Sequence, residues 1–161
     1  MSRAFLVYLC CFSFGVYALP EDAKQPIQIE AYTVVIDERK GLSTYTGDAK
    51  VSQGSLMLNA DRIELYSNQK EVVKVLAKGN KKKLAYYKQS QPNRSRFIEA
   101  RAIKINYLIK KEFVQLRGKA RLIQGFDTFS GGTLDYDIKH DKVILEKSKD
   151  GKDRVKFKIK L

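Results

Sequence analysis

The sequence predicts an all-β protein assembled as a stack of repeated rungs, and three observations carry that expectation. First, the chain repeats one pattern four times: an extended apolar run, a turn and a second extended run. Its clearest copies begin at Ile29-Glu30-Ala31 and Ile98-Glu99-Ala100. The first continues to Gly47-Asp48-Ala49-Lys50-Val51-Ser52-Gln53-Gly54 and the second to Gly118-Lys119-Ala120-Arg121-Leu122-Ile123-Gln124-Gly125. The offset is 69 residues from Ile29 to Ile98 and 71 from Gly47 to Gly118, so the halves match apart from two residues. Second, apolar residues alternate with polar ones at period two, as a half-buried strand requires. Third, polar and glycine-bearing turns punctuate the runs. A strand-turn-strand unit cannot cover its own apolar face, so neighbouring units must stack around one long internal surface.

Taken in order, Ile27 and Ile29 alternate with Gln28 and Glu30, and Asp37 to Gly41 forms a polar turn. Leu42 to Thr46 returns, rich in β-branched and aromatic residues suited to a pleated surface. Gly47-Asp48 and Gly54-Ser55 interrupt it, and Leu58-Asn59-Ala60-Asp61 opens the next unit. Ile63 and Leu65 share a face, as do Val73, Val75 and Ala77. A basic connection from Gly79 to Lys83 precedes the run Leu84 to Lys88, and Gln89 to Ser95, with Pro92, is the longest expected loop. Between Glu99 and Gln115, Ile105, Leu108 and Ile109 also fit helical spacing. The match to the Ile29 unit favours strand there. In the second half, Phe129-Ser130-Gly131-Gly132 takes the place of Leu58 to Asp61, with the glycines relieving crowding at a bend. Leu134, Tyr136 and Ile138 oppose Asp135 and Asp137. At the end, Val155, Phe157, Ile159 and Leu161 face one way and Arg154, Lys156, Lys158 and Lys160 the other, predicting a buried apolar face and a wet basic one.

Residues 1–18 read as a secretory signal peptide: Arg3, an apolar stretch, then Val16-Tyr17-Ala18 as a small-residue cleavage pattern. The stretch is shorter than the roughly 20 residues of a bilayer span. Both cysteines, Cys10 and Cys11, fall within it, so the mature chain is expected to carry neither disulfide nor thiol chemistry. Residues 19–161, roughly 140 in number, suffice for one domain with a single core.

The formal charge of +13 favours an anionic partner. For an exported protein that partner is phosphorylated lipid before nucleic acid, even though Lys81-Lys82-Lys83 precedes Tyr86 and Tyr87 in a pattern that can serve phosphate and stacking contacts. Enzyme chemistry finds little support. His140 is the only histidine and sits in a turn, so neither a zinc cluster nor a nucleophile-base pair can be assembled. Asp135 and Asp137 share a face but lack the further oxygen ligands a hard cation needs. No metal site and no cofactor are expected. Asn93-Arg94-Ser95 fits a glycosylation pattern too short to carry weight.

The ordered series Gln25-Pro26-Ile27-Gln28-Ile29-Glu30, Tyr45 to Gly54, Leu58 to Asp61 and Leu116-Arg117-Gly118-Lys119-Ala120 resembles the OstA-like family of periplasmic lipopolysaccharide transport proteins, over roughly Lys24 to Leu161. The resemblance implies a β-jellyroll, or β-taco, of two facing antiparallel sheets in a single domain. It further implies a non-enzymatic periplasmic bridge that binds lipopolysaccharide in a hydrophobic groove and joins end to end with copies of itself. The implied partners are an inner-membrane-anchored relative of the same fold and the N-terminal domain of an outer-membrane translocon. Residue by residue, it places Ile27, Ile29, Tyr86, Tyr107 and Ile109 against lipid. Composition alone offers Lys81, Lys82 and Lys83, together with the basic face of the last strand, as headgroup contacts. Two alternatives stand beside this reading: a membrane-anchored component of the same fold, and a structural β-protein that binds no lipid.

Overall fold

The computed structural model describes residues 22–90, 96–147, 151 and 154–159. The signal segment, both cysteines, the Asn93 motif, Lys160 and Leu161 lie outside these residues. Within them the chain forms twelve strands. They are β1 (Gln28–Glu30), β2 (Thr33–Asp37), β3 (Leu42–Gln53), β4 (Leu56–Asn68), β5 (Glu71–Lys78), β6 (Ala85–Ser90), β7 (Phe97–Ala102), β8 (Lys104–Leu108), β9 (Phe113–Gln124), β10 (Asp127–Asp137), β11 (Lys142–Glu146) and β12 (Lys156–Lys158). Two single 3₁₀ turns, Asp22–Lys24 and Ile109–Lys111, complete the set.

All strand pairs are antiparallel, and the four long strands β3, β4, β9 and β10 each serve two sheets. The first part of β4 pairs with β6 and its later part with β5. The later part of β9 pairs with β7 and its first part with β8. One sheet therefore runs through β1, β3, β4, β6, β7, β9, β10 and β12, and the other through β2, β3, β4, β5, β8, β9, β10 and β11. The sheets share a corner where the long strands bend, and they face each other across one apolar layer, the two-sheet arrangement that the family resemblance implies.

The corner explains the repeated glycine motif. Gly47-Asp48 and Gly118-Lys119 all have positive φ, a conformation glycine adopts without penalty. The β3–β4 register shifts between Thr46 and Ala49, which marks a bulge. At Gly118 a side chain would also press on Ile103, whose N–H donates to the Gly118 carbonyl. Alanines follow the glycines because the sheets meet most closely there. Ala49 pairs with Ala60, Ala85 with Ala102 and Ala120 with Gly131, and all five alanines are buried.

Pairing register corrects the sequence alignment of the halves. Ile29 pairs with Val51 and Ala100 with Leu122, each partner lying 71 residues beyond its counterpart. The structural equivalent of Ile29 is thus Ala100, and Ile98 corresponds to Ile27. The two-residue mismatch needs no insertion: β7 is longer than β1, and a shift of two preserves which face is inside.

The ambiguous segment is strand, broken by the short turn at Ile109–Lys111, whose end is set by Glu112 in a left-handed conformation. The last strand departs from expectation. Val155, Phe157 and Ile159 are exposed instead of covered, because β12 is a terminal strand with no further rung over it.

Candidate functional site

The space between the sheets is the candidate site, and it is built from alternating residues of every rung. One inward row reads Tyr45, Ile63, Ala77, Ile105, Leu116, Leu134 and Leu145 across adjacent strands. On the facing sheet a second row reads Ile29, Val51, Leu58, Tyr87, Ala100, Leu122, Phe129 and Phe157. The middle of this layer is tightly packed, with Ile63, Ile105, Leu116 and Leu134 wholly buried. Among the described residues, no strand covers either of its ends. The inward-facing Val34 and Ile36 on β2 lack a covering rung, and so does Phe157 on β12, which is 69% exposed.

Opposite the corner, the turns of the two sheets come together at a polar mouth. Asp22 is seated on its rim: the Ser55 N–H and hydroxyl donate to its two carboxylate oxygens at 2.7 Å each, and Gln89 Nε2 donates at 2.9 Å. A side chain at Gly54 would displace Asp22, so the tight turn there makes room for it. Gln89 also receives the Tyr87 hydroxyl and engages Tyr107 of the opposite sheet. The two tyrosine rings meet edge to face at 5.9 Å. Further along the mouth, Gln124 Nε2 and the Tyr136 hydroxyl both donate to Asp141 Oδ1, at 2.6 and 2.9 Å. Burial pushes the Tyr107 phenol up to about 12 and the Tyr87 phenol well above its usual value, so both stay neutral.

The residues singled out from sequence are distributed unevenly. Ile29 is half-buried against the core, as is Ile109, while Ile27 at the open β1 end is 37% exposed. Tyr107 faces inward. Tyr86 does not: its ring lies on the outer face, 5.0 Å from the Arg101 guanidinium, and its phenol is raised by burial and by the bond to Glu99. The inward ring of β6 is its neighbour Tyr87, and adjacent strand positions point oppositely. The basic turn lies beside the corner, away from the mouth. Lys83 pairs with Asp48, and the N–H groups of Lys82 and Lys83 donate to Asn80 Oδ1 at 2.8 Å each. Sequence reasoning missed Asp22, Gln89 and the Gln124–Asp141 contact, since none stands out by type or spacing. His140 bonds to Asp137 within its turn, and no cluster of metal-binding side chains exists among the described residues. No helix among them is long and apolar enough to cross a membrane.

Two antiparallel β-sheets sharing long bent strands and facing each other across one apolar layer define the class of β-jellyroll modules. The chain belongs to the LptA/(LptD N-terminal domain) LPS transport protein family, whose model matches residues 28–142. It is 31% identical over 126 residues to the lipopolysaccharide export system protein LptH of Pseudomonas aeruginosa, spanning 78% of this chain and 71% of that protein. It is 31% identical over 135 residues to LptA of Escherichia coli, spanning 84% and 72%. The crystal structure of LptH, described as the LptA-homologous periplasmic component of the lipopolysaccharide transport device, superposes with a TM-score of 0.78 at 27% identity, over 88% of this chain and all of that one.

Proposed function

We propose that the protein is a periplasmic lipopolysaccharide carrier whose acyl chains travel between the two sheets while the phosphorylated sugar stays at the polar mouth. The observation that carries this reading is the apolar layer continuing from rung to rung and remaining bare at both ends. Each buried CH₂ contributes roughly 0.8 kcal/mol, so an acyl chain of about a dozen carbons has the driving force to part the sheets. Ile27, Ile29, Tyr107 and Ile109 are the candidate lipid contacts from the sequence, and Tyr87 replaces Tyr86 on β6. Lys81 and Lys82 lie too near the corner to meet a headgroup at the mouth, and Lys83 is held by Asp48.

Cleavage after Ala18 frees the module into the periplasm. The bare ends then suit head-to-tail joining, both with copies of itself and with the same fold in an inner-membrane-anchored component and an outer-membrane translocon. A photo-crosslinker placed at Ile29 or Tyr107 is expected to capture lipopolysaccharide, and one at Tyr86 is not. Capture from Tyr86 alone overturns the reading.

One observation favours a second reading. The middle of the layer, with Ile105 wholly buried and Tyr107 nearly so, is packed as in a purely structural β-protein. Titration with lipopolysaccharide separates the two, since the structural protein gives no saturable binding.

A further inference from the structure

On the outer face of the β1-containing sheet, one cross-strand row reads Tyr86, Arg101, Arg121, Ser130 and Lys156. Arg101 and Arg121 stand directly opposite each other, an arrangement that repels. Beside them a cleft of about 420 Å³ is lined by Lys119, Arg121, Arg154 and Lys156 over a floor of Ala120, Ser130 and Gly131. A second cleft, of about 260 Å³, shares Arg121 and adds Arg101, Ile123 and Glu99. The small floor residues keep the larger cleft open.

Among the described residues, the charges in this row are not balanced by carboxylates. On the outer face of the other sheet, Arg62 and Lys78 both bond Glu64 at 2.9 Å, and Arg117 bonds Asp135 at 2.5 Å. In contrast, none of Arg101, Lys119, Arg121, Arg154 and Lys156 reaches a carboxylate of the described residues. Glu99, the one acidic residue lining these clefts among the described residues, is engaged by Lys88 at 3.7 Å and by the Tyr86 hydroxyl. The Arg101 guanidinium lies over the Tyr86 ring, 5.0 Å from its centroid.

We propose that these clefts form a binding site for a phosphate group, centred on Arg121, with Arg154, Lys119 and Lys156 closing one side and Arg101 the other. Guanidinium groups give paired donors matched to phosphate oxygens, and the lysines add point charge. The site lies on the outer face and next to the corner, so it is distinct from the apolar layer and its mouth. It takes a phosphate borne by a sugar or lipid headgroup, or free phosphate, and the two sources differ in what else they touch.

Isothermal titration of the exported, processed chain with sodium phosphate and, separately, with glucosamine 1-phosphate tests this. Saturable binding is expected, weakened at least tenfold by Arg121→Gln with Arg154→Gln. Lys40→Gln with Lys70→Gln, which removes two charges elsewhere, should leave it unchanged. Tighter binding of the sugar phosphate identifies a phosphorylated sugar as the source, and equal binding identifies the free anion. Absence of saturable binding, or equal weakening in both double variants, overturns the site. Should the glutamine pair fail to fold, Arg121→Glu alone gives the same reading. Lipid capture from Ile29 is unaffected by these variants, so this site and the carrier function stand or fall separately.

Discussion

Asp22→Ala should loosen the protein and tighten its grip on lipid, an unusual pairing that follows from where Asp22 sits. Its carboxylate accepts three hydrogen bonds, from the Ser55 N–H, the Ser55 hydroxyl and Gln89 Nε2. Bonds to a charged group contribute roughly 1.5–3 kcal/mol each when well buried. These are only partly buried, and water replaces some of what is lost, so about 2 kcal/mol is the expected total. Global unfolding breaks these bonds. If lipid enters by parting the mouth, binding breaks them too, and the same 2 kcal/mol is a cost that lipid must overcome.

Removing that cost raises the fraction of molecules with an open mouth, and apparent affinity rises with it. At about 1.4 kcal/mol per tenfold, the gain is roughly thirtyfold. Urea unfolding followed by tyrosine fluorescence measures the first effect, and titration with fluorescent lipopolysaccharide the second. Asp22→Asn, which keeps the shape and loses the charge, should fall between. A variant that loses stability while its affinity stays the same or weakens refutes entry through the mouth and points to entry from the open ends.

Two further outcomes follow from other parts of the fold. Burial alone would raise the Glu64 carboxyl, but its bonds from Lys78 and Tyr66 and the nearby Arg62 hold it below its ordinary value of 4.5. Its stabilisation is therefore complete above that value and lost as pH falls through the lower, folded one. Glu64→Gln should cost about 2 kcal/mol at neutral pH and flatten the acid limb of a stability-against-pH curve below pH 4.5. At the bare ends, Val34→Asp or Phe157→Asp should abolish head-to-tail assembly in light scattering, leaving a folded monomer by circular dichroism; oligomers persisting in both variants would place the contacts elsewhere.

The strands were legible because period-two alternation and the repeated glycine motif are both local signals, and both survive in the structure. The corner was legible in part: the glycines marked it, but only pairing shows that Ala49, Ala60, Ala85, Ala102 and Ala120 line it as a set. The mouth was hidden. Asp22 and Gln89 lie 67 residues apart, and a hydrogen bond between polar residues in two loops or strand ends leaves no periodic trace. Tyr86 shows the limit of inference by analogy on a strand. A carry-over displaced by one residue moves the side chain through the whole thickness of the sheet, which exchanges the interior of Tyr87 for the charged outer surface of Arg101.

The tightness of the interior and the polarity of the mouth belong to one physical requirement. An empty trough wide enough for acyl chains would present a large dry cavity, and unfilled apolar volume destabilises a fold by roughly 24 cal/mol per Å³. The packed middle of the layer, with Ile63, Ile105, Leu116 and Leu134 wholly buried, leaves no such cavity here. A lipid carrier must nevertheless open that layer reversibly. The corner alanines form a stiff hinge line, whereas the opposite side is held by a few hydrogen bonds around Asp22, Gln89 and Asp141, each contributing about 1 kcal/mol. Lipid burial outweighs bonds of that size, while spontaneous opening requires several of them to break together. On the carrier reading proposed above, the sheets are expected to part along the mouth and not along the corner, with each entering acyl chain replacing the side-chain contacts it disrupts.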